Sequence, residues 1–216
     1  GSAVEKAGAA QGVSWGACHF HHSSSMEMKC PYHLGDLQSA GIQPLVGDFR
    51  HFGSLWHVPP HQWDHNYFAG KITFCVVRNP FDRAVSAFYD KWEGYKGKNT
   101  NDPAYLNRFI QRQLSKSPNS PLFMPQTRYV FWDNNNTQRA AVNHVLRFEN
   151  LTSDFRKLME AYKTPAITLD EIPFNQRKKG SQLGVGDLNS QTIEMILHHA
   201  ASDFQKFDYP RTPVPT

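Results

Sequence analysis

Hydrophobic and polar positions in this chain follow two periods, and the switch between them is sharpest at residues 72–92. Ile72-Thr73-Phe74-Cys75-Val76-Val77 is an unbroken apolar and β-branched run, the pattern of a buried strand. It stops at Arg78-Asn79-Pro80. Pro80 carries no N–H and biases Asn79 away from helical angles, so the chain must turn there. Beyond it Phe81, Val85, Phe88, Tyr89 and Trp92 recur at helical spacing. That spacing predicts an amphipathic helix over 81–96, with Pro80 in its first turn and Asp82 at the positive end of the helix dipole. Arg78 falls at the carboxyl end of the strand, and Arg83 and Ser86 on the first turns of the helix. In an open α/β sheet that junction is where ligands bind. A guanidinium, a hydroxyl and free backbone N–H groups converging there predict an anion site suited to phosphate.

The remaining elements are read the same way. Residues 103–114 suggest a second helix, 115–125 a Ser/Pro-rich surface loop, 126–132 a short aromatic stretch and 133–137 a turn. Ala141–Leu151 (AVNHVLRFENL) reads as another strand, followed by a helix to about Tyr162 with Thr152 or Ser153 as its cap. A second strand–helix unit argues for a parallel sheet with crossover helices. A last helix is expected from the Leu188-Asn189-Ser190 cap through Ile193, Ile196, Leu197 and Phe204. The fold class expected is therefore α/β, a central parallel sheet flanked by helices.

Composition narrows the function. The 216 residues fit a single domain, with Gly1-Ser2 expected to be a vector remnant and 210–216 a tail. A hydrophobic content of 39% with 19% charged residues is that of a globular chain. The net charge of +4 suits a polyanionic ligand or an acidic substrate. The basic residues are scattered rather than massed, which argues against a nucleic-acid partner. No apolar run reaches the roughly 18 residues of a membrane span, so no membrane segment is expected here. Cys75 lies mid-strand as a small hydrophobe. Cys18 and Cys30, in a His- and Ser-rich region, could pair as a disulfide in an oxidising compartment. They could instead join nearby histidines on zinc, although they lack a paired CxxC form. Two sequons, at Asn135 and Asn150, would matter in a secretory compartment.

The run R-N-P-F-D-R-A-V-S-A-F-Y at 78–89 resembles the 3′-phosphate-binding element of the sulfotransferases that use 3′-phosphoadenosine 5′-phosphosulfate (PAPS). It is most similar to the Golgi-type carbohydrate sulfotransferase branch. The resemblance implies a P-loop nucleotide-hydrolase-like sulfotransferase fold, with Arg78, Ser86 and Arg83 binding the cofactor. Val4–Gly12 resembles the family's 5′-phosphosulfate loop, in which Lys6, Ala7, Gly8, Ala9, Ala10 and Gln11 would cradle the phosphosulfate. Lys6 aligns with the loop lysine that stabilises charge on the leaving phosphate. Glu5 stands where that loop usually has Pro, and Ala9 and Ala10 where it usually has a Thr/Ser pair.

Sulfuryl transfer to a hydroxyl needs a base, and imidazole suits neutral pH. His57, in H-V-P-P before the central strand, resembles the family's H-x-P segment and is the first candidate; His51 and His61 are alternatives. Pro125-Gln126-Thr127-Arg128-Tyr129 resembles a segment that contributes to the acceptor side. The 144–151 run resembles x-V-L-R/K-F/Y-E-x-L, and Arg177, Lys178, Lys179 and Gly180 resemble a basic loop that closes over the nucleotide. The end, D-F-Q-K-F-D-Y at 203–209, resembles the family's terminal D-F-x-x-F-x-Y, read as a packing element.

The implied activity is sulfuryl transfer from PAPS to a carbohydrate or small phenol or alcohol acceptor, releasing adenosine 3′,5′-bisphosphate. No metal is expected, and the expected address is the Golgi lumen behind a removed anchor, or else the cytoplasm. Two rivals stand beside it. One is a degenerate relative that binds nucleotide or sulfated glycan without turnover. The other is a P-loop kinase, against which the absent G-x-x-x-x-G-K-[ST] argues.

Overall fold

The computed structural model describes residues 70, 72–90, 94–97, 100–134, 137–164, 167–169 and 183–214. In chain order these form β1 (Phe74–Val77), α1 (Pro80–Phe88), α2 (Pro103–Lys116), α3 (Thr127–Val130), β2 (Phe131–Asn134), β3 (Thr137–Ala140) and β4 (His144–Arg147). A 3-10 turn (Phe148–Asn150), α4 (Leu151–Ala161), a second 3-10 turn (Val185–Asp187), α5 (Ser190–His199) and α6 (Ala201–Lys206) complete them.

β1 and β4 pair in parallel, with Phe74 opposite His144 and Val77 opposite Arg147. β2 and β3 form a separate antiparallel pair. Side chains alternate across a strand, so β1 serves two cores. Phe74 and Val76 pack with Leu146 of β4, Ile167, and Phe155, Leu158 and Met159 on the apolar face of α4. Val77 and Cys75 turn the other way, into the cluster built on α1, α2, α5 and α6. Helices thus cover both faces of the parallel pair, which is why β1 reads as a continuous apolar run. Phe81, Phe88 and Phe155 are almost wholly buried, and each contributes about 1.5–3 kcal/mol by leaving water. Burial also pushes the Cys75 thiol up to about 12, as befits the small hydrophobe expected there.

Several boundaries differ from the sequence reading. α1 ends at Phe88 rather than near residue 96. The chain folds back instead: Tyr95 N–H donates to the Phe88 carbonyl at 2.9 Å, and its ring stacks on Phe88 at 4.9 Å. Gly94 permits this return, because a Cβ there would collide with the Asp90 carbonyl oxygen. The expected strand 141–151 is shortened to β4, and α4 starts from Asn150, while Ser153 Oγ donates to the Asn150 carbonyl. Residues 131–140, read as an aromatic stretch and a turn, form the β2–β3 pair. The 115–125 segment is not a plain surface loop, since Phe123 and Met124 are buried. The last helix breaks at Ala200 into α5 and α6. No described helix is long and apolar enough to cross a membrane.

Candidate functional site

The carboxyl end of β1 is fastened from three directions. Gln126, buried at the start of α3, lays its carboxamide along the backbone of Arg78. Its Oε1 accepts from the Arg78 N–H at 2.8 Å, and its Nε2 donates to the Arg78 carbonyl at 2.8 Å. The side chain thereby imitates a neighbouring strand at a place where β1 would otherwise leave its last backbone groups unpaired. Gln126 is held in turn by Asp203 of α6, a fully buried carboxylate. Asp203 accepts from the backbone N–H groups of Gln126 (2.8 Å) and Thr127 (2.9 Å) and from Gln126 Nε2 (3.3 Å). Gln126 therefore serves as scaffold at the end of β1.

Glu149 fastens the next residue. Its Oε1 accepts from the Asn79 N–H at 2.7 Å, and its Oε2 from Tyr209 Oη at 3.1 Å. Burial first, and then the Glu149 carboxylate that the hydroxyl contacts, raise the Tyr209 pKa, so it stays a donor. Tyr209 is delivered by a reversal at Asp208, which takes the left-handed backbone region (φ 51°), while Tyr209 N–H closes on the Phe204 carbonyl. Arg147 completes the tie. It donates to the Phe207 carbonyl and stacks on Tyr209, with its guanidinium carbon 4.9 Å from the ring centroid. The terminal D-F-x-x-F-x-Y segment thus carries polar anchors and does more than pack.

The Arg78 guanidinium stands over the ring of Phe148, 4.4 Å from its centroid. Asn79, Arg83 and Ser86 follow one another on a single flank of α1, and all are half-buried. Arg83 reaches sideways: its Nη1 donates to the Met124 carbonyl at 2.7 Å and its Nη2 to the Pro121 carbonyl at 2.8 Å. Loss of hydration lowers its pKa, and the Asp203 and Tyr129 charges oppose that fall. Arg83 thus pins the 121–124 segment, while Ser86 lies one turn further along the same flank. The same 121–124 segment is met by His199, on α5, which donates from Nε2 to the Phe123 carbonyl at 2.9 Å.

Two of the backbone donors expected to be free at the start of α1 are already engaged. The Asn79 N–H goes to Glu149, the Phe81 N–H to the Asn79 side chain at 2.9 Å, and Pro80 has none. That leaves the side chains, Arg78 first, as the larger part of what this junction can offer an anion. What the arrangement offers is a cation fixed at its backbone and along its face, beside a hydroxyl-bearing helix flank. Sequence reasoning missed Gln126, Asp203, Glu149 and Phe148 as its supports, because their partners lie 48 to 77 residues away or on another strand.

Lys6, Ala7, Gly8, Ala9, Ala10, Gln11, His51, His57, His61, Arg177, Lys178, Lys179 and Gly180 lie outside the described residues, as do Cys18 and Cys30. Among the described residues no group of three His, Cys, Asp or Glu side chains is arranged to hold a metal ion.

Residues 48–210 match the model of a family described as the Sulfotransferase family. No curated protein and no solved structure matches the chain.

Proposed function

We propose, on the premise that this chain belongs to the Sulfotransferase family, that it moves a sulfuryl group from PAPS to an acceptor hydroxyl. The observation that carries this reading is Arg78, a cation fastened at the carboxyl end of a parallel strand, the end at which open α/β sheets generally take ligands, within the run that resembles a 3′-phosphate-binding element. The extra phosphate of PAPS separates it from ATP, and a planar guanidinium is the group best shaped to grip it. Ser86 adds a hydroxyl from α1. Arg83 acts through the 121–124 segment, which it holds against α1.

The acceptor oxygen would attack sulfur in line. The bond between sulfur and the bridging phosphate oxygen breaks, and the acceptor proton passes to a base. His57 is the residue proposed for that base, with His51 and His61 behind it. Lys6 is proposed to meet the negative charge that appears on the departing phosphate. Residues 6–11 and 177–180 are proposed to cradle the phosphosulfate and close over the nucleotide. These roles rest on the sequence resemblance. The proposed fold around them is P-loop-like, and the acceptor class is a carbohydrate or a small phenol or alcohol.

A non-catalytic reading has its own support, since Ala9 and Ala10 remove two hydroxyl donors from the proposed phosphosulfate loop. A transfer assay with sulfur-labelled PAPS over a panel of sugar, phenol and alcohol acceptors separates the two. Labelled product supports the enzyme. Tight binding of adenosine 3′,5′-bisphosphate with no product on any acceptor favours the binder, and binding of ATP in preference to the bisphosphate overturns both. A Golgi address is proposed as well. The Asn150 sequon sits exposed at the start of α4, and its side chain makes no capping hydrogen bond. Expression through a secretory pathway should yield a glycosidase-sensitive mass at Asn150; an unmodified Asn150 would count against a lumenal site.

A further inference from the structure

Phe148 poses a question that burial does not answer. The residue is 46% exposed, between two residues whose side chains are committed elsewhere: Arg147 to the Phe207 carbonyl and Glu149 to Asn79 and Tyr209. What the ring does touch is the Arg78 guanidinium, 4.4 Å from its centroid. The backbone of the same arginine is gripped on both its N–H and its carbonyl by Gln126. A long, flexible cation is therefore fixed at its root by one residue and along its length by another.

Stacking engages the face of a guanidinium and consumes none of its in-plane N–H donors. An aromatic ring also attracts the charge through its quadrupole, which an aliphatic side chain of similar size lacks. A cation ordered before the ligand arrives loses less freedom on binding, and that difference appears as affinity. We propose that Phe148 is a positioning residue for Arg78, orienting the guanidinium for the 3′-phosphate and so setting the preference for a 3′-phosphorylated nucleotide. This rests on the sulfotransferase reading of Arg78.

The test is calorimetry with adenosine 3′,5′-bisphosphate and with 5′-AMP on the full chain and on Phe148→Leu, Phe148→Trp and Arg78→Ala. Phe148→Leu should weaken the bisphosphate about threefold to tenfold and leave 5′-AMP within about twofold. Phe148→Trp should restore the bisphosphate affinity. In the Arg78→Ala background, Phe148→Leu should change nothing further, since the group it orients is gone. A ring that merely filled space would affect both nucleotides alike and would be replaced by Leu without selective loss. Equal losses for both ligands, or an unchanged bisphosphate affinity in Phe148→Leu while Arg78→Ala loses it, overturn the role of Phe148 and leave the function standing. If Arg78→Ala itself shows no selective loss, the 3′-phosphate reading falls and this inference with it.

Discussion

Asp203 is the residue whose replacement should cost this fold most for the smallest change in shape. Asp203→Asn keeps the volume but turns one carboxylate oxygen into an NH2 group. Both oxygens face donors: Gln126 N–H at 2.8 Å and Thr127 N–H at 2.9 Å, with Gln126 Nε2 at 3.3 Å. Whichever way the amide sits, one buried backbone N–H meets another N–H. Hydrogen bonds to a charged group contribute about 1.5–3 kcal/mol each, and an unsatisfied buried donor costs about 1–3 kcal/mol. Arg83 also loses a negative charge that offsets its own desolvation. These contributions overlap, so the expected loss is about 3–5 kcal/mol, or a fall in Tm of roughly 6–20 °C for a chain of this size. Urea denaturation at pH 7 should show the midpoint drop with an unchanged m-value. Adding Arg83→Met should cost less in the Asp203→Asn background than in the wild type, since the two charges compensate one another. A loss below about 1 kcal/mol, or strict additivity with Arg83→Met, would refute the view that this carboxylate organises the end of β1.

Other consequences follow from the same geometry. Desolvation holds the His199 pKa below its ordinary 6.5, although the Phe123 carbonyl and Asp203 pull it up. Just below that pH the unfolded chain takes up the proton while the folded one resists, so stability should fall as pH drops through 6.5. His199→Gln, which can still donate to the Phe123 carbonyl, should flatten that slope of Tm against pH; an identical slope would sink the assignment. Asn79→Ala removes the cap on the Phe81 N–H and should cost about 0.5–2 kcal/mol in urea denaturation, while Asn79→Asp should recover most of it. With its thiol pushed up to about 12, Cys75 should stay unalkylated by iodoacetamide at pH 8 in the native protein and react once unfolded, as mapped by peptide mass spectrometry. Native labelling at the rate of a free thiol would contradict its burial.

The elements that local pattern alone determines were legible in the sequence. The run 72–77 and the Asn79-Pro80 stop place β1 and the start of α1 within two residues, because strand period and proline geometry act locally. Asn189 was likewise readable as a cap, and its side chain accepts from the Thr192 N–H at 2.9 Å. The end of α1 was not, because Phe88 and Tyr89 continue the helical period toward Trp92, and only the return of Tyr95 onto Phe88 reveals the break. The β2–β3 pair escaped notice because Trp132-Asp133-Asn134 carries no clean alternation. At the site, Arg78 was found because its motif is contiguous. Its supports were not, since Gln126, Phe148 and Asp203 come from three separate segments that sequence order does not bring together. The same limit explains the backbone donors: nothing in R-N-P tells that Glu149 occupies the Asn79 N–H.

Titration calorimetry of the wild type and Arg78→Ala, each with adenosine 3′,5′-bisphosphate and with 5′-AMP, tests the proposed role of the strand-end arginine most directly. Charge-assisted hydrogen bonds to one phosphate should make the wild type favour the bisphosphate about tenfold to a hundredfold. Arg78→Ala should erase that preference and leave 5′-AMP unchanged. A wild type that binds both nucleotides equally, or a variant that loses both in parallel, would contradict it.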